Sequence, residues 1–183
     1  MLAFALVFLI FGGFARADQL PPPRDPLLLQ MLGHWKGTGV RAYPISGRQV
    51  EVSEDVLTIS QTVHGEDAAV SKDQVTETSP GVAPRSYVTE YWVSPAAGHP
   101  GCYALGGESD QGPGPASASG LLGSDGVFRV DQNLGNGYLV HSETRFEAGE
   151  TLYTEIFTSG SEIQSRTEIR YTQITQSVTS QNR

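Results

Sequence analysis

The sequence predicts an all-β domain, a closed antiparallel up-and-down β-barrel of about 8–10 strands entered through a short N-terminal helical turn. Three observations carry this. From His34 onward, short runs rich in Thr, Val, Ile, Tyr and Phe recur between clusters of Gly, Pro, Asn and Asp, which is the rhythm of strands and turns. Four successive links, at 123–126, 134–137, 147–150 and 159–161, are short and contain glycine, and such links make tight hairpins and hence a meander. A meander of that many strands leaves two unpaired edges unless its first and last strands meet.

The elements follow in order. Residues 1–17 join an apolar run, Leu2 to Phe11, to small residues at Ala15 and Ala17, the pattern of a secretory signal whose cleavage would start the mature chain at Asp18. The run is shorter than the ~20 apolar residues that span a bilayer, and no Cys follows it to carry a lipid anchor. Residues 18–25 form a proline-rich lead-in, stiffened by the fixed φ of consecutive prolines. Asp25-Pro26 offers an N-cap followed by Pro at the first helical position, so a short helix is expected over Pro26–Leu32. The barrel occupies 26–174, with strands near 34–43, 48–63, 68–78, 85–94, 101–108, 116–123, 127–133, 137–147, 150–159 and 162–174. The Gly- and Pro-rich stretches 94–101 and 108–117 belong at a rim, and the polar tail 175–183 is expected to fray.

Loss of residues 1–17 removes one basic residue, Arg16, and leaves 11 basic against 20 acidic side chains, a formal net charge of −9. Nucleic acid and anionic membrane are poor partners for such a surface, since a duplex binder needs a basic face. The mature chain has a single cysteine, Cys102. No intramolecular disulfide can form, which leaves a buried thiol or an intermolecular bridge.

One stretch is more specific. Gly33-His34-Trp35-Lys36-Gly37-Thr38-Gly39, followed by Tyr43-Pro44, places a tryptophan among glycines on the first strand, directly after the helical turn. Glycines there suit a strand that bends or is closely approached, and the tryptophan would plug the space beneath the helix, its indole N–H seeking an acceptor. The pattern resembles the first strand of lipocalin-like and wider calycin barrels, and in its G-x-W-x-G-x-G form the nitrobindin-type barrels. The resemblance implies Gly33, Trp35, Gly37 and Gly39 as a structural signature, with a basic residue of the last strand laid across the tryptophan: Arg170 first, Arg166 second.

Nitrobindin-type barrels hold ferric haem through a last-strand histidine. Here residues 160–171 contain none, so no haem or other cofactor is expected. His141 alternates with Leu139, Glu143 and Arg145, a register that carries charge, and is expected to face outward. No metal-ligand spacing, nucleophile elbow or phosphate loop occurs, and the chain is not expected to be an enzyme. The expected function is that of a secreted or periplasmic barrel holding a small apolar or amphipathic molecule, with Tyr91, Tyr103, Tyr153 and Phe157 as candidate lining residues. The alternative is an envelope or host-interacting protein that uses its rim loops around a filled core. A cavity of ~300 Å³ or more with an open mouth would support the first, and a side-chain-filled core the second.

Overall fold

The computed structural model describes residues 24–110 and 118–174. The expected signal segment, residues 18–23 of the lead-in, most of the 108–117 loop and the tail lie outside the described residues. The chain runs α1 (Pro26–Met31), β1 (Gly33–Tyr43), β2 (Arg48–Val63), β3 (Glu66–Ser79), β4 (Val82–Pro95), β5 (Cys102–Ser109), β6 (Ala118–Leu122), β7 (Val127–Gly135), β8 (Tyr138–Glu147), β9 (Glu150–Ser159) and β10 (Glu162–Gln173). Each strand pairs antiparallel with the next, and β1 pairs with β10 to close the barrel. Trp35 stands opposite Gln173, and Ala42 opposite Arg166.

The helix forms where the cap places it. The Asp25 side chain accepts hydrogen bonds from the backbone N–H of Leu27 and Leu28, and Pro26 follows at the first helical position. Capping matters here because six residues are too few for a helix that stands alone; burial of Leu27 and Leu28 supplies the rest. Those leucines close one end of the barrel, packing with Ala69, Val93, Tyr103 and Phe128. The Tyr103 hydroxyl donates to both carboxylate oxygens of Asp25 at 3.1 Å, so the helix cap also fastens the helix to β5.

Trp35 lies beneath this helix. It is 9 % exposed, and its indole N–H donates to the Met31 carbonyl at 3.1 Å. The glycines after it are required by closely approaching neighbours. A Cβ on Gly37 would stand 2.5 Å from Cε1 of Tyr171, and one on Gly39 only 1.9 Å from the backbone oxygen of Glu168. Both contacts join β1 to β10, the seam that closes the barrel.

Arg170 does not lie over Trp35. On β10 the inward residues are Ser165, Thr167, Ile169 and Tyr171, so strand alternation turns Arg170 outward, where it is 69 % exposed and 3.9 Å from Glu168. Arg166 is exposed on the same face. Cys102 is half-buried and unpaired. Among the described residues no helix is long and apolar enough to cross a membrane.

Candidate functional site

The barrel encloses a cavity of about 360 Å³. Its floor is made by Trp35 and Met31, and its walls are of two kinds. Strands β5 to β8 contribute an uncharged and largely apolar wall, including Leu105, Phe128, Val130, Val140 and Phe146. All four charged lining residues stand on other strands: Arg41 on β1, Glu54 on β2, Asp73 on β3 and Glu155 on β9. Alternation puts them there: in β2, Glu54 shares its inward phase with Val50, Val52, Val56 and Thr58, all buried.

Arg41 is held from three sides. Its Nε donates to Oγ1 of Thr167 at 3.0 Å, and its Nη1 to Oε1 of Glu77 at 2.5 Å. Tyr87 donates to the same Glu77 oxygen at 3.2 Å. Burial works against the guanidinium's charge, but Tyr87, Glu155 and Glu77 outweigh it and keep Arg41 protonated. Glu155 accepts from the Tyr153 hydroxyl at 2.7 Å and from Thr167 at 3.4 Å.

The second polar group is acidic. Glu54 and Asp73 are each 8 % exposed, and neither forms an ion pair among the described residues. Burial pushes the Glu54 carboxyl up, opposed by a hydrogen bond from Tyr171. Asp73 is pushed up to about 8, first by burial and then by the charge of Glu54 and by hydrogen bonding to it. Two carboxyls so placed cannot both ionise cheaply, and the pair keeps a proton near neutrality. Burial likewise holds the hydroxyls of Tyr91, Tyr153 and Tyr171 neutral, reinforced by the nearby carboxylates. The Tyr171 ring reaches Glu54 by lying across Gly37, in the space that a Cβ would fill.

Of the four aromatic residues expected to line a pocket, Tyr91 and Tyr153 do. Tyr103 does not: it is 3 % exposed within the end cluster, edge-on to Phe128 at 5.4 Å, with its hydroxyl on Asp25. Phe157 is also absent from the lining; it stacks on Tyr138 at 5.7 Å, beside the β7–β8 and β9–β10 hairpins. None of the four histidines lines the cavity. His34 bonds Asp55 at 2.5 Å, and His141 bonds Asp131 at 2.7 Å on the outer face. Among the described residues no three His, Cys, Asp or Glu side chains are grouped to hold a metal ion.

Arg41, Glu54, Asp73, Glu77 and Glu155 are not among the residues expected from the sequence to form the site. The signal was present as a charge in phase with core-facing residues, as in Val50-x-Val52-x-Glu54-x-Val56. It was masked because the outward phase of β2 also carries apolar residues, Leu57 at 50 % and Ile59 at 45 % exposure.

No protein-family model matches the chain, and no curated protein matches it in sequence. Among solved structures, that of an S-type phycobiliprotein lyase from Guillardia theta is similar, with a TM-score of 0.61 over 81 % of this chain and 91 % of that chain. The identity is 11 %, so the likeness is one of fold. The closed ten-strand meander, with its helix at one end and its tryptophan on the first strand, is a calycin-like barrel.

Proposed function

We propose that this protein binds a small amphipathic molecule inside its barrel. The observation that carries the reading is the divided cavity of about 360 Å³, apolar along β5 to β8 and hydrogen-bonding along β1 to β3 and β9. Side chains selected only to fill a barrel would not leave such a space beside buried, partly unsatisfied acids. The volume also favours a ligand-holding interior over a filled core with functional rims. Residues 1–17 support export, and we place the protein outside the cytoplasm on that basis.

A titration with the neutral fluorescent probe N-phenyl-1-naphthylamine tests the reading. The parent should bind one equivalent, and Thr144→Trp, which fills the cavity from β8, should bind at least about tenfold more weakly while melting cooperatively. Leu57→Trp, on the outer face, should bind as the parent does. Equal binding by all three proteins would place the probe elsewhere and contradict the proposal.

A second reading rests on Asp73. A carboxyl that keeps its proton near neutrality inside a cavity can act as a general acid, and one similar solved structure is that of a lyase. Conversion of a bound molecule, seen as a change in its mass on incubation and lost in Asp73→Asn, would favour that reading over simple binding.

A further inference from the structure

The charges of the cavity do not balance. Arg41 is the one cation in its described lining, and Glu77, Thr167 and Tyr87 already engage it or its partner, with Glu155 beside it. Glu54 receives a hydrogen bond from Tyr171. What remains is Asp73. It lines the cavity, it is 8 % exposed, and its Oδ1 is buried with no hydrogen-bond partner. A buried carboxyl oxygen left without a donor costs more than the hydrogen bond it would make. In native interiors such an atom calls for an explanation, and at a cavity wall a donor from a water, an ion or a ligand supplies one.

We propose that the ligand of this cavity carries a basic nitrogen, a protonated amine that donates to Asp73 Oδ1, with its apolar remainder against the β5 to β8 wall. This rests on the binding reading above and names its ligand class. The groups facing Asp73 agree with it. Glu54 and Asp55 come from β2, Tyr91 from β4, Tyr171 from β10, and, beyond Glu54, Arg41 from β1 and Glu155 from β9. The acids repel an anion, the tyrosines are neutral donors, and the lone guanidinium is already paired. A neutral alcohol could donate to Asp73 but could not take the place of the proton that Asp73 holds, so it would form no ion pair there.

Binding is coupled to a proton. In the free protein Asp73 holds a proton beside Glu54. When an alkylammonium arrives, Asp73–COOH and R–NH₃⁺ become the ion pair Asp73–COO⁻···⁺H₃N–R, and H⁺ leaves to solvent. Since Asp73 titrates near 8, a slightly acidic solution finds it protonated, and about one proton is released per ligand bound.

Calorimetry of the full chain at slightly acidic pH, with 4-phenylbutylamine, 4-phenylbutan-1-ol and 4-phenylbutanoate as probes, tests this. Each is titrated in two buffers of different ionisation enthalpy. The amine should bind one site at least about tenfold more tightly than the alcohol, with the carboxylate weakest, and only the amine should release a proton. In Asp73→Asn the proton release should vanish and the amine should fall to the alcohol's affinity. The parent's own proton count keeps the idea testable should that variant fail to fold. Equal or tighter binding of the alcohol or the carboxylate, or amine binding without proton release, would overturn the amine assignment and leave the cavity reading standing. Absence of binding by all three would contradict both.

Discussion

Asp73 shows how much of this interior is decided one side chain at a time. Its folded carboxyl titrates near 8, far above the ~3.9 of an unfolded chain. Between those values the unfolded state is ionised while the folded state holds a proton. The group's contribution to stability is therefore complete below about pH 4 and is lost as pH rises towards 8. Asp73→Asn removes the titration and keeps the shape. Urea unfolding should show the variant gaining on the parent as pH rises from 5 towards 8, by at most ~1.4 kcal/mol per pH unit. A difference that does not change with pH would mean that Asp73 is ionised throughout. Nothing about Asp73 was apparent in the sequence, because a lone acid in a strand is ordinarily solvated and only its phase against Val75 and Ala69 hints otherwise. His141 was legible for the opposite reason: Glu143 and Arg145 in its phase are charged, and it faces out onto Asp131.

At the scale of the element, β1 carried the most readable pattern and also the most instructive error. The tryptophan was correctly placed beneath the helix, since a large aromatic among small residues beside an apolar turn has few other uses. The arginine expected across it was misplaced, because Ile169 and Tyr171 take the inward phase of β10 and leave Arg170 to solvent. The glycines suit a bend or a close neighbour, and it is the close neighbours that the structure shows. Gly37 gives the Tyr171 ring its seat, and Gly39 lets the backbone of β10 pass. These two roles predict different costs. In Gly37→Ala the new methyl meets the Tyr171 ring and, at 2.9 Å, Cγ2 of Ile169, side chains that can shift, so Glu54 loses its donor and stability should fall by ~1–3 kcal/mol. In Gly39→Ala the methyl meets backbone that cannot yield without opening the β1–β10 seam, and the loss should be larger. Chemical unfolding of both variants, with Gly37→Ala repeated in a Tyr171→Leu background, checks this: the smaller side chain should recover most of the Gly37→Ala cost. Equal losses at the two glycines, or no recovery, would remove the distinction.

The whole molecule was legible in outline and closed in detail. Ten strands, their hairpins and the meeting of the first with the last follow from turn chemistry and from the need to hide edges, and both are written locally along the chain. The interior is not written locally. Its two walls arise only when β5 to β8 face β1 to β3 and β9 across the barrel, so residues distant in sequence, Arg41 with Glu77 and Tyr171 with Glu54, define it together. For the same reason two of the four aromatic candidates fell elsewhere, Tyr103 to the helix cap and Phe157 to Tyr138. The account's central claim is that this space is occupied by one small molecule in the protein's working state. Native mass spectrometry of the chain purified from its own source tests it most directly. The account predicts a retained small molecule at one per chain, released on acidification and missing from Thr144→Trp prepared in the same way. A bare chain mass under conditions that preserve non-covalent complexes, or an adduct that persists in Thr144→Trp, would contradict it.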